Sequence, residues 1–304
     1  MRNHKGKLIL AGIDLLPAIE LGGEAVRLQL PRNMSTYYAS LAYTAPAAVV
    51  RLVNAPLPGE DEALPESRLR ELLNVTDDFR VSAQLIKRGK GRQDSSFLAA
   101  AVPQNEVRQL LGMFPSGPPA PASLEVSGLA FVAAFLNARG DECKDQAVCL
   151  FEAGESVSHF VFLNNLSIVL VGKLPFGARM MRKKLAEDLG VDDELAASIL
   201  SDRSINISSS LASVLAPHLK QLTISKDFVE RLQGCRISKV YVSGGLCLLP
   251  SISEEVGQML HAEVGQWSPF ENIVIENEAL SPEMEKQATR FSAAIGAAIG
   301  GFQE

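Results

Sequence analysis

The sequence lacks the CxxC pairs that mark a zinc ribbon or a dithiol centre. Its cysteines, Cys143, Cys149, Cys235 and Cys247, stand apart, and two of them, Cys149 and Cys247, lie inside apolar runs where cysteine acts as a small hydrophobe. Reduced thiols are therefore expected, not a disulfide framework. No apolar stretch reaches the roughly 20 residues needed to span a bilayer. The amino terminus, Met1 to Lys7, is basic, but the apolar residues after it are interrupted by Asp14 and Pro17, too early for a signal-peptide core. Any membrane role would then run through a partner. Nor is there a surplus of basic charge. With 29 Lys and Arg against 35 Asp and Glu, the net charge is −6 and the pI about 5.4, which argues against nucleic-acid binding. The local basic clusters at residues 87–92 and 179–184 read as a solvated hairpin tip and a helix face. His159 and His261 have no Ser or Cys nucleophile at a recognisable spacing and no metal-ligand companions, so both read as surface or packing residues.

What is present is a chain of 304 residues, 47% apolar and 21% charged, longer than one compact core. Two lobes, or one domain with an inserted module, are expected. The chain is organised around its middle. Val148, Leu150 and Phe151 lead into Glu152-Ala153-Gly154-Glu155-Ser156, Phe160 to Leu163 run to an Asn164-Asn165 turn, and Ile168 to Val171 follow. This is a hairpin pattern with turns at both ends of the middle strand. Glycine in the first turn would let backbone N–H groups converge on an anion, or it serves an ordinary tight turn.

Along the rest of the chain, Leu8 to Asp14 reads as a buried strand ending in a carboxylate. Residues 18–21 and 25–30 read as two more strands about a Gly22-Gly23 turn. Strands are expected at 49–53, 79–86 and 96–102, with helices at 66–73 and 105–113. The Pro- and Gly-rich run 115–121 reads as a rigid connector at a module boundary, followed by a brief strand at 124–126 and an apolar helix over 128–136. Helical patterns follow at 177–190, 192–200, 204–224 and 227–232. A strand at 237–242 then runs into Ser243-Gly244-Gly245, with a helix from Pro250 to Leu260, a late strand at 273–275 and a small-residue helix at 292–299.

Three features fall in one order: strand-Gly12-Ile13-Asp14, the hairpin about Glu152 to Ser156, and strand-Ser243-Gly244-Gly245-helix. That order resembles the actin-like, Hsp70/FtsA-type ATPase fold, in which two phosphate loops and an adenosine loop close on a nucleotide between two lobes. More narrowly, the chain resembles the PilM-type type IV pilus assembly proteins, related to the cytoplasmic domain of the type II secretion L component. The residues that carry this are Ala99 to Val107, Glu125 to Ala130, Lys239 to Gly245 with Pro250, Ser268-Pro269-Phe270, and Ala294 to Ala298. The resemblance implies an α/β fold of two lobes of mixed sheets flanked by helices, with a small inserted α+β module. Residues 1–43 and 116–147 would form the first lobe, 44–115 the inserted module, 148–284 the second lobe, and 285–304 a helix returning to the first lobe.

The resemblance also implies an ATP site with Mg²⁺ whose contacts would map to Asp14, Glu152, Gly154, Glu155, Ser156, Gly244 and Gly245, with no catalytic residue and no protein-held metal. Its loops depart from the family pattern. After Asp14 stand Leu15, Leu16 and Pro17 where small hydroxyl residues are expected, so hydrogen-bond donors for phosphate are missing. Glu152 replaces an aspartate, and Glu155 adds a second carboxylate that would repel a polyphosphate unless a cation compensates. Glu125 reads either as a water-orienting residue of such a site or as a carboxylate at a helix start.

The expected function is thus a non-catalytic scaffold, a pseudo-ATPase, cytoplasmic and peripheral to an inner membrane. It would take the N-terminal cytoplasmic tail of a PilN-like pilus or secretion protein in a groove near residues 31–60 and 95–135. Homo-oligomerisation stays open. A weak ATP-binding switch or slow ATPase is the alternative, and an actin-like polymerising protein the third.

Overall fold

The structure, a computed structural model, describes residues 1–16, 27–28, 30–31, 34, 36–57, 63–89, 93–114, 116–202 and 207–302. The strands expected at 18–21 and 25–30 with their Gly22-Gly23 turn lie outside the described residues at all but three positions, as do Pro17 and the end of the basic tip at 90–92.

In chain order the described residues form β1 (Arg2–His4), β2 (Lys7–Leu10), β3 (Tyr38–Tyr43), β4 (Val49–Ala55), α1 (Glu66–Leu73), β5 (Phe79–Lys87), β6 (Ser95–Pro103), α2 (Gln104–Gly112) and β7 (Ala120–Val126). Then come α3 (Ser127–Arg139), β8 (Ala147–Ala153), β9 (Ser158–Asn164), β10 (Ser167–Leu174), α4 (Ala178–Leu189), α5 (Asp193–Ser201) and α6 (Ser208–Gln233). The chain closes with β11 (Ile237–Ser243), α7 (Pro250–Leu260), β12 (Glu263–Gly265), β13 (Val274–Ile275), α8 (Pro282–Glu285) and α9 (Ser292–Gly300). Among the described residues no helix is long and apolar enough to cross a membrane.

Two compact units emerge. One comprises residues 1–130, 272–286 and 294–304, the other 131–271 and 287–293. In the first unit, β4, β6 and β5 make an antiparallel sheet in that order. Every second residue of β6 is buried, so Phe97, Ala99 and Ala101 face Leu69 and Leu73 of α1 while the other face stays half open. A parallel pair, β3 beside β7, forms a separate two-stranded sheet, and a third sheet runs β1-β2-β13. The connector expected at 115–121 is shorter than its composition suggests, because Ala120 and Pro121 already belong to β7. At the far end of β7, Glu125 lies against Gly300 of α9, where a β-carbon would come within 2.3 Å of the carboxylate oxygen. Glycine in the last turn of α9 leaves room for that carboxylate, which a larger residue there would push aside.

The second unit is one five-stranded sheet, β10-β9-β8-β11-β12, antiparallel on the β8 side and parallel from β8 onward. All seven residues of β8 are buried, as a central strand covered on both faces must be. One face sends Phe151, Phe160 and Phe162 into Met181, Leu185, Leu215, Leu219 and Ile252 of the helices above. The opposite face carries Tyr241, which packs with Phe135 of α3 at 4.6 Å between ring centroids.

The two helical patterns expected at 204–224 and 227–232 are one 26-residue helix. The polar interval between them does not break it: Thr223 and Ser225 satisfy their hydroxyls on the carbonyls of Leu219 and Gln221 within the helix, and Lys226 braces Glu230 at 3.0 Å. Glu230 also accepts the Ile237 N–H at 2.7 Å, which ties the end of α6 to the start of β11. Burial pushes its carboxyl up, but that bond and Lys226 outweigh it and hold the group below the ordinary value. A depressed folded-state pKa stabilises at neutral pH, and the contribution is lost as pH falls from the ordinary glutamate pKa through the lower folded value. Glu230→Gln should therefore cost about 1–2 kcal/mol near pH 7. In urea melts the gap from the unaltered protein should narrow below about pH 4.

Candidate functional site

The hairpin between β8 and β9 places the central loop. Cross-strand register pairs Ala153 with Ser158, so residues 154–157 make the turn. A β-carbon on Gly154 would sit 2.6 Å from the Val157 carbonyl oxygen, so the turn closes this tightly only with glycine. Ser156 is half-buried in it.

Two carbonyls and one carboxylate of the loop are engaged within the unit. The carbonyls of Gly154 and Glu155 accept the N–H groups of Ala178 and Arg179 at 3.0 and 2.9 Å, and so cap the first turn of α4. Gly177 permits this, since a β-carbon there would stand 2.4 Å from the Glu155 carbonyl oxygen. The Glu155 carboxylate pairs with Arg182 at 2.8 Å, and Arg182 also reaches Asp193 at 3.6 Å. The charge expected to oppose a polyphosphate is thus compensated from within.

Glu152 is only 8% exposed. Its register partner is His159, itself 7% exposed, with Nδ1 3.4 Å from Glu152 Oε2. The two side chains approach without an aligned hydrogen bond, and Nδ1 has no hydrogen-bond partner among the described residues. The register continues in both directions: Lys173 of β10 lies opposite His159, and Ser243 of β11 opposite Glu152. A row of lysine, histidine, glutamate and serine therefore crosses four strands. Burial pushes the Lys173 ammonium pKa down. The sequence reading missed His159 as a site neighbour. Hairpin arithmetic could have found it, because a four-residue turn after Ala153 sets residue 159 opposite residue 152.

The third loop leaves β11 at Gly244, whose φ is +91°. A β-carbon there would meet the Ala153 carbonyl oxygen at 2.2 Å, so the ends of β8 and β11 are drawn together by the missing side chain. Gly244 is also bound on both sides by one residue. Its N–H donates to the Thr289 carbonyl at 3.0 Å, and its carbonyl accepts the Thr289 hydroxyl at 3.1 Å. Ser243 Oγ donates to the same Thr289 carbonyl at 3.2 Å. Gly245 has an ordinary φ of −64° and room around it, with Arg290 Cγ 3.8 Å from where a β-carbon would stand.

The structure thus gathers Glu152, Gly154, Glu155, Ser156, Gly244 and Gly245 at one end of the second unit's sheet. Asp14 belongs to the first unit, exposed, with its carboxylate accepting the N–H of Leu15 at 2.8 Å. Leu15 and Leu16 are each 37% exposed beside it. Among the described residues no group of three or more His, Cys, Asp or Glu could hold a metal ion.

Comparison with known proteins follows the same lines. The sequence matches the family described as type IV pilus assembly protein PilM over residues 74–302. The chain belongs to the PilM family. No curated protein matches this PilM-family chain. Among solved structures it is similar to one described as a PilM-PilN type IV pilus biogenesis complex, with a TM-score of 0.73 and 18% identity over 87% of this chain and 80% of the other. It is also similar to the ethanolamine utilization protein EutJ from Carboxydothermus hydrogenoformans, with a TM-score of 0.41 and 18% identity over 63% and 59% of the two chains. An archaeal actin homolog, Ta0583, matches with a TM-score of 0.42 and 15% identity over 62% and 59%. The α/β actin-like class expected from the sequence is the fold of this PilM-family chain.

Proposed function

We propose that the chain is a non-catalytic scaffold of a type IV pilus, or related type II secretion, assembly platform. It works in the cytoplasm and reaches the inner membrane through the short N-terminal tail of a PilN-like partner. The observation that supports the pseudo-ATPase part is that the Gly244 N–H, in the third loop, is taken by the protein's own backbone. The Gly244 N–H is spent on Thr289, and the Asp14 carboxylate accepts the adjacent Leu15 N–H. Phosphoryl transfer needs N–H donors and Mg²⁺ held in place around the phosphates. The Leu15 and Leu16 side chains carry no hydroxyl to donate to phosphate, and Glu152 is buried facing a histidine, so the residues present suit a bound Mg-ATP poorly.

The partner reading is supported by β3 and β7. Among the described residues each pairs only with the other, and Tyr37 and Tyr38 stand 77% and 72% exposed at the start of β3. An extended segment could add main-chain hydrogen bonds to such an edge and lay alternate side chains against the tyrosines. Calorimetry with N-terminal peptides of inner-membrane pilus components encoded alongside this chain should give saturable binding, weakened by Tyr38→Ala. If no such peptide binds, the scaffold reading fails.

The alternative, a nucleotide switch, draws on the close backbone approach retained at Gly154 and Gly244. It predicts a higher melting temperature in millimolar Mg-ATP, since a ligand bound only by the native state stabilises by mass action. The expected result is no shift.

A further inference from the structure

The longest helix of the second unit has an outer face that the unit itself does not use. Leu219, Leu222 and Val229 of α6 are buried in the core, whereas Ile224, Phe228 and Leu232 are 61%, 55% and 62% exposed. Four-residue steps drift by only about 40° around a helix, so these three side chains form one continuous stripe. The neighbouring helices α4 and α7 pack on other sides of α6, and Thr223 Oγ1 donates to the Met259 carbonyl of α7 at 3.4 Å. Single exposed apolar residues are ordinary on a surface, but a contiguous run of large ones marks a place of contact.

The stripe is symmetric about Phe228, with one aliphatic residue four positions to either side. One of its edges carries both signs of charge. Asp227 and Arg231 lie on the same flank of the helix, about 40° apart. Lys226 and Glu230, at the same spacing, close on each other at 3.0 Å, but Asp227 and Arg231 form no ion pair among the described residues. The opposite flank offers Gln221 and Ser225 and no charge.

This pattern selects one way of pairing two such helices. In a parallel pair unlike flanks meet, so the Asp227 and Arg231 edge of each helix would face Ser225 of the other. In an antiparallel pair about a two-fold axis at Phe228, like flanks meet. Ile224 of one copy then packs against Leu232 of the other, and Asp227 comes opposite Arg231 in both directions.

We propose that this face joins the protein to a second copy of itself, through antiparallel contact of two α6 helices about Phe228. The surface is complementary to itself in shape and in charge, whereas an anionic bilayer would be repelled by Asp227 at the edge of the stripe. Three large side chains per copy fall short of the roughly 800 Å² a side of a tight complex, so the dimer is weak, with a dissociation constant of about 10–100 μM.

Sedimentation velocity of the full chain between about 1 and 200 μM should show a monomer–dimer equilibrium in that range. Phe228→Glu sets like charges together at the two-fold axis and should raise the dissociation constant at least about tenfold. Its circular dichroism should be unchanged, because the ring is more than half exposed. The deciding measurement mixes two variants. Asp227→Arg makes the flank wholly basic and Arg231→Asp makes it wholly acidic, so each alone should self-associate about fivefold more weakly than the unaltered chain. Their equimolar mixture should associate at least as tightly as the unaltered chain, since every basic residue then meets an acidic one. A chain still monomeric at about 200 μM, a dimer indifferent to Phe228→Glu, or a mixture no tighter than its components would overturn the proposal. Flotation of a monomeric chain with anionic vesicles, lost in Phe228→Glu, would assign the stripe to a bilayer and overturn it as well.

Discussion

Replacing Gly244 with alanine is expected to destabilise the protein by about 3 kcal/mol, from a left-handed backbone no longer free of a β-carbon and a steric overlap that cannot relax. The overlap is with backbone: the new carbon would lie 2.2 Å from the Ala153 carbonyl oxygen and 3.0 Å from the Ala153 nitrogen, both in the fully buried central strand. Gly244 cannot move away, because its N–H and carbonyl are both tied to Thr289. For a unit of this size the melting midpoint should fall by roughly 6–12 °C. Gly245→Ala is the control. Its φ of −64° suits any residue and its nearest neighbour would be 3.8 Å away, so the midpoint should stay within about 2 °C. Equal losses at the two positions would show that the close approach of β8 and β11 does not govern this loop. Because Gly154 and Glu155 cap α4 from the same strand end, loss of Gly244 should also loosen that helix, which hydrogen exchange at Ala178 and Arg179 would report.

Phe135→Ala is expected to cost about 3–5 kcal/mol. Phe135 is fully buried and is the ring against which both Tyr241 and Trp267 pack, at 4.6 and 5.3 Å. Truncation leaves a cavity bordered by two large aromatics, each held by other contacts and unable to fill it. Besides the shift in chemical denaturation, Trp267 emission should move to longer wavelength as water reaches the ring. Phe135→Leu, which keeps most of the volume, should lose about 1–2 kcal/mol. If the alanine variant costs no more than the leucine variant, this face of the sheet is covered in some other way.

Much of the second unit was legible in the chain. The hairpin β8–β9–β10 showed itself because three apolar runs are separated by Gly154 and by Asn164-Asn165, and local turns fix which strands pair. Helices α4, α5 and α7 were bounded by residues that act locally: Gly190 in the left-handed region, the Asp192 carboxylate accepting the Leu195 N–H, and Pro250 in the first turn. The three-residue strand β12 was not legible, since so short a segment carries no periodicity and pairs only because β11 lies beside it. β3 escaped for a related reason: its partner β7 follows more than 70 residues later, and a parallel pair leaves no turn signal between its strands.

The candidate site divides in the same way. That Gly154 and Gly244 would end strands, that the side chains of Leu15 and Leu16 offer phosphate no hydrogen bond, and that Glu155 adds a negative charge all follow from residue types, because they depend on what a side chain is and not on where it goes. The sequence alone thus determined the order of the loops and the chemistry missing from them. That Thr289 fills both hydrogen bonds of Gly244 and that Arg182 neutralises Glu155 was decided only by the tertiary structure. Those partners are 45 and 27 residues apart, and only the packing of strands and helices sets which of many polar groups arrives at each.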